Sequence, residues 1–107
     1  MYMMLIDGEV KQGKQDEFLK AWNNTILPVL KKQNGFVDEI LLFEREKTVA
    51  ATGLSFWKTR QDAERYHRDV FPQALNSVES LLNGTPRIRS FDVVASETFH
   101  IAAGKAA

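Results

Sequence analysis

Hydrophobic positions fall along the chain in two rhythms, one of period two and one helical. From about Tyr2 to Lys11 the period is two. Met4, Ile6, Gly8 and Val10 point one way and Met3, Leu5, Asp7 and Glu9 the other, which predicts a strand that Gln12 and Gly13 break. From about Lys14 to Gln33 the spacing becomes helical, with Phe18, Trp22, Ile26 and Val29 in a stripe widened by Leu19 and Leu30. Pro28 sits inside that stripe and has no N–H for the carbonyl of Asn24, so a kink is expected there rather than an end. Asn34 and Gly35 tolerate the left-handed conformation and predict the stop.

Phe36 to Arg45 reads as a second strand whose run Ile40 to Phe43 is apolar on both faces. Glu44 to Lys47 makes a tight connection to a third strand, Thr48 to Trp57, and the two form a hairpin. Thr59 is an N-cap, with Asp62 in the first turn of a second helix over about Arg60 to Leu82. Its inner stripe is Ala63, Tyr66 or His67, Val70, Ala74, Val78 and Leu81, and Pro72 is expected to kink it near its middle. Asn83 and Gly84 close it. Pro86 to Phe99 alternates as a fourth strand.

The order β-α-β-β-α-β is the ferredoxin-like pattern of the α+β class, a four-stranded antiparallel sheet with two helices on one face. One domain spans 1–99, and 100–107 reads as a C-terminal tail, either frayed or exchanged with a partner. Two helices cover one sheet face only, yet the strands are apolar on both. A bare apolar sheet is a liability for a soluble monomer. The economical cover is the sheet of a second copy across a two-fold axis, so a homodimer through the sheet faces is expected.

Charge narrows the partners. Fourteen basic side chains balance fourteen acidic ones, which removes the electrostatic case for nucleic acid or an acidic membrane surface. Cysteine is absent, which excludes disulfides, thiol catalysis and cysteine metal sites. Only His67 and His100 are available, too few for a histidine-rich metal site. The apolar start is short, lacks a basic leader and meets Asp7 and Glu9 early, so it reads as neither signal peptide nor membrane span, and the cytoplasm is the expected location.

The stretch GLSFWKTRQDAERYHRDVFPQAL (Gly53 to Leu75) resembles the third strand and second helix of the antibiotic biosynthesis monooxygenase superfamily. VKQGKQDEFLKAW (Val10 to Trp22) and QNGFV (Gln33 to Val37) resemble its first helix and second strand. The resemblance implies a dimeric α/β barrel in which two four-stranded sheets pack face to face. Some members oxygenate aromatic polyketides without metal or flavin; others cleave haem, isomerise quinones, or have no established activity. Fold analogy does not choose among these. The haem-degrading branch uses an Asn, a Trp and a His. The matching positions here are Ile6, Tyr66 and Asn76, so the iron ligand is missing and haem cleavage is not expected.

What the resemblance implies is a cofactor-free oxygenase for a small aromatic or quinone-like compound, with no metal and no cofactor. His67 is the candidate catalytic base, since an imidazole titrating near neutrality suits deprotonation of a phenol or enol. Its plain alternative is a helix-edge histidine bonded to Glu64 or water. Trp57 and Tyr66 are candidate walls for a flat ligand, or plain core like Trp22 and Phe56. Asn76 is a candidate amide for a substrate carbonyl, if it faces inward. Asp7 and Asp92, on neighbouring strands, form either a carboxylate dyad or partners of Arg87 and Arg89. The competing reading of the whole chain is a non-catalytic ligand-binding or assembly module. A wet cavity lined by His67 and Asn76 would favour the enzyme; one lined by Phe and Leu would favour the module.

Overall fold

A computed structural model describes residues 1–96; residues 97–99 of the expected fourth strand and the tail from His100 lie outside the described residues, and the strand stops at Asp92, so Val93 to Ser96 do not extend it as expected. The strands are β1 (Tyr2–Glu9), β2 (Phe36–Phe43), β3 (Ala50–Trp57) and β4 (Arg87–Asp92). They form one antiparallel sheet in the order β2-β3-β1-β4, with the helical segments after β1 and after β3, which is the ferredoxin-like α+β fold expected from the sequence.

Neither helical layer is one continuous helix. The first consists of α1 (Gln15–Ala21), a π-helical turn (Trp22–Ile26) and α2 (Leu27–Lys31). The irregularity expected at Pro28 therefore lies one turn earlier, where the Leu27 N–H reaches back five residues to the Trp22 carbonyl. A proline cannot supply the next donor, and the wider π turn takes up the mismatch. The second layer is α3 (Arg60–Asp69), α4 (Phe71–Val78) and a 3₁₀ turn (Glu79–Leu81). It breaks at Val70 (φ −121°, ψ −43°) rather than at Pro72, which sits in the first turn of α4, where its missing N–H costs least.

Local signals at the ends hold. The Thr59 hydroxyl accepts from the Asp62 N–H at 3.1 Å and donates to the Asp62 carboxylate at 2.8 Å. Such a cap contributes about 1 kcal/mol. Gly35 adopts φ +78°, and a Cβ there would run into Asp62, so this turn and the α3 cap require one another. The β2–β3 connection is longer than expected: β2 ends at Phe43 and β3 starts at Ala50, with the Glu44 N–H bonded to the Ala50 carbonyl at its base.

Register assigns the faces. Tyr2, Met4, Ile6 and Gly8 of β1 stand beside Trp57, Ser55, Gly53 and Ala51 of β3, under the helices. A bulge between Phe36 and Asp38 brings Glu39 and Leu41 onto that same face, opposite Ser55 and Gly53. The core lies here, with Val10, Phe18, Leu30, Trp57, Ala63 and Tyr66 buried. The opposite face carries Met3, Leu5, Ile40, Leu42, Leu54 and Phe91 and has no cover among the described residues. Leu42 is 48% exposed, Phe91 38% and Ile40 37%.

Candidate functional site

The helix-facing side of β3 reads Ala51, Gly53, Ser55, Trp57, alternating with Thr52, Leu54 and Phe56 on the outer side. Small residues at three of the four positions leave a trough in the sheet. Trp22, from the π turn, drops its indole into it. A Cβ at Gly53 would meet the Trp22 ring at 2.9 Å, so only glycine admits it. The other side of the indole is anchored as well, its Nε1–H donating to Glu39 Oε2 at 2.8 Å. Burial pushes the Glu39 carboxyl above its ordinary range, against the stabilising effect of the Trp22 bond, while Asp38 raises it further and Lys31 lowers it.

At the end of the trough Trp57 is fully buried and its Nε1–H donates to Ser55 Oγ at 2.9 Å. Phe36 meets it edge-on at 5.7 Å, and Tyr66 of α3 lies tilted against it at 5.2 Å. Burial pushes the Tyr66 phenol up to about 12, so it remains a protonated donor. His67 is wedged between Tyr66, edge-on at 5.2 Å, and Phe71, at 4.8 Å. Its Nε2 is buried with no hydrogen-bond partner among the described residues, and burial lowers its pKa to about 4. Glu64, the neighbour the sequence offers it, is instead bonded to Arg60.

Between the trough and the helices lies a partly open cleft of about 60 Å³, lined by Ile6, Trp22, Gly53, Ser55, Tyr66 and Phe71 among others. Both helical irregularities overlie it: Trp22 and Ile26 come from the π turn, and Phe71 and Ala74 follow the break at Val70. The walls are almost wholly apolar. Of the side chains that line it, only Trp22, Ser55 and Tyr66 carry a nitrogen or oxygen.

The four residues singled out from the sequence are thus only partly brought together. Tyr66 lines the cleft. Trp57 stands behind Ser55 and Tyr66 as support. His67 packs against Phe71 and does not line the cleft. Asn76 is exposed and lines nothing, which corrects the inward orientation expected of it: Ala74 and Val78 face in, and Asn76 lies about half a turn round the helix from both. Asp7 and Asp92 make no dyad. Asp7 is opposite Arg87 and accepts from the Thr52 hydroxyl at 3.1 Å, whereas Asp92 is at the other end of β4, opposite Tyr2. Sequence reasoning missed Gly53, Ser55 and Glu39. The alternation of small residues along β3 was the available signal for the first two; the bulge hid the third.

No group of His, Cys, Asp or Glu side chains suited to a metal ion forms among the described residues. No helix there is long and apolar enough to cross a membrane.

No family model matches the sequence, and no curated protein matches it. Solved structures do. A conserved protein from Methanosarcina mazei Go1 superposes with a TM-score of 0.71 at 23% identity, over 84% of this chain and 89% of that one. SnoaB of Streptomyces nogalater, a cofactor-independent oxygenase, superposes with a TM-score of 0.73 at 19% identity, over 91% of this chain and 97% of that one. A candidate antibiotic biosynthesis monooxygenase from Nitrosomonas europaea gives 0.75 at 16% identity, over 89% of this chain and all of that one. The fold is that of the antibiotic biosynthesis monooxygenases. Proteins of this monooxygenase fold match over nearly the whole described domain, so the cleft between sheet and helices is built on the shared scaffold and not on an added loop.

Proposed function

We propose that this chain binds a small aromatic or quinone-like compound in the cleft between its sheet and its helices. The observation that carries this reading is the cleft itself: apolar walls, an indole held at both ends, and few polar side chains among the lining residues, which is the composition of small-molecule sites. At about 60 Å³ it is smaller than the dry cavity of about 150 Å³ known to take benzene, so a ring enters only if a wall gives. The wall that can give is α4, which is separated from α3 by the break at Val70. Titration with small aromatic compounds, followed by Trp fluorescence and by amide shifts around Phe71 and Ala74, tests this. Saturable shifts confined to the cleft support it; their absence for a broad panel of rings overturns it.

A second reading, cofactor-free oxygenation of the bound compound, is favoured by the fold shared with SnoaB, itself a cofactor-independent oxygenase. Without a cofactor all four electrons needed to reduce O₂ come from the substrate: an activated CH₂ becomes C=O, and the second oxygen leaves as water. Such a substrate must first lose a proton. His67 is the candidate base for this step, a neutral imidazole packed against Phe71 that does not line the cleft and so reaches a ligand only if the cleft wall moves. Unchanged turnover of an identified substrate by His67→Ala would remove His67 from the chemistry.

The same reading includes a homodimer through the outer sheet face. Its support is the row of Leu5, Leu54 and Ile40 across three strands, flanked by Leu42, Met3 and Phe91.

A further inference from the structure

Ser55 occupies the middle of β3, beside Met4 on one side and Glu39 on the other, and is 7% exposed. A serine there is costly unless its hydroxyl is used. Half of it is: Oγ accepts from the Trp57 indole, which is a donor only, so the role of the oxygen as acceptor is fixed. The hydroxyl proton has no acceptor among the described residues, and Ser55 lines the cleft. Of the other two polar side chains in the cleft wall, Trp22 has its single N–H committed to Glu39, and Tyr66 also borders a separate polar pocket with Lys32, Asp62 and Arg65.

We propose that Ser55 is the specificity residue of the cleft, donating its hydroxyl hydrogen bond to an acceptor oxygen of the bound ring compound, an aryl ketone or quinone carbonyl, while Trp57 holds the hydroxyl in the donating orientation. This rests on the reading of the cleft as an aromatic binding site and adds the functional group the ligand must carry. Hydrocarbon rings satisfy the apolar walls but leave the Ser55 proton unpaired. Carbonyl rings satisfy both.

The test uses acetophenone and α-methylstyrene, which have nearly the same shape and differ in C=O against C=CH₂. With acetophenone labelled at its carbonyl carbon, binding to the native chain moves the ¹³C resonance downfield, the direction of a donated hydrogen bond. Ser55→Ala weakens acetophenone about tenfold, the factor worth one ordinary hydrogen bond, and leaves α-methylstyrene unchanged or tighter. Trp57→Phe removes the indole bond that orients the hydroxyl, so the preference for the ketone shrinks but, with Ser55 intact, is not lost as it is in Ser55→Ala. An upfield carbonyl shift in the native chain, or equal losses for both probes in Ser55→Ala, overturns the role of Ser55 while the aromatic site stands. Failure of both probes to bind the native chain overturns the aromatic site and this proposal with it.

Discussion

The indole of Trp22 lies directly over Gly53, so close that a Cβ at residue 53 would sit 2.9 Å from its ring. The contact joins the π turn of the first helical layer to the central strand of the sheet, and it sets the floor of the cleft. Because Glu39 holds the opposite edge of the ring, the indole cannot simply slide away. Gly53→Ala therefore overpacks a fixed joint and destabilises the domain by about 1–3 kcal/mol. In a domain of this size each kcal/mol lowers the melting temperature by roughly 4–8 °C. Thermal unfolding by circular dichroism checks this, and an unchanged melting temperature would mean that Trp22 is free to move.

Glu39 gives the same joint a pH dependence. Burial raises its carboxyl pKa in the fold above the unfolded value, so the folded chain holds that proton more tightly. The sign follows from linkage: once the pH rises above the folded pKa, the charged, partly desolvated carboxylate weighs against folding, and protonation on acidification relieves it. Glu39→Gln keeps an acceptor for the Trp22 N–H and cannot ionise. The melting temperature of Glu39→Gln minus that of the native chain is expected to be larger near neutral pH than below the ordinary carboxylate range. A difference independent of pH would show that the carboxylate is well solvated.

Leu42 tests the outer face of the sheet. It is 48% exposed and opposite Thr52, away from the helices, so replacing it leaves the core of a single copy intact. A carboxylate placed there would be desolvated against an apolar partner sheet, at a cost of several kcal/mol. Leu42→Asp is expected to sediment as a monomer with an unchanged far-ultraviolet spectrum, where the native chain sediments as a dimer at micromolar concentration. A native chain that already sediments as a monomer ends the dimer reading.

The fold was legible in the sequence because each signal for it is local. Period-two runs, the Thr59 cap, and the glycines at Gly35 and Gly84 with positive φ depend on neighbours in the chain. The breaks in the helices fall earlier than expected, by about a turn at Pro28 and by two residues at Pro72. Proline shows that a hydrogen bond is missing, but packing over the cleft decides which residue absorbs the loss. The site was less legible for the same reason. Trp57 and Tyr66 were recognisable as large aromatics, but the roles of Gly53, Ser55 and Glu39 depend on the register between β2 and β3 and on a bulge that no periodicity reveals. Asn76 lies about half a turn round the helix from both Ala74 and Val78, so the inner stripe itself sets it on the exposed side.

His67 supplies a prediction for stability and one for chemistry. Burial between Tyr66 and Phe71 lowers its pKa from the ordinary 6.5 to about 4. The unfolded chain therefore takes up this proton before the folded one does. The stability this brings is fully present above pH 6.5 and is lost as the pH falls toward 4, with a ceiling of about 3 kcal/mol from the size of the shift. His67→Phe keeps an aromatic ring against Phe71, removes the unpaired Nε2 and cannot take a proton. Its melting temperature is expected to exceed the native one by more at about pH 5 than at about pH 7.5. A direct titration of the His67 ring by NMR gives the midpoint itself. A midpoint near the ordinary value would mean that the imidazole is open to water, and the base role of His67 would then gain ground at the expense of the packing role. A midpoint near 4 leaves it neutral at physiological pH, a weak base whose first duty is to hold Phe71 over the cleft.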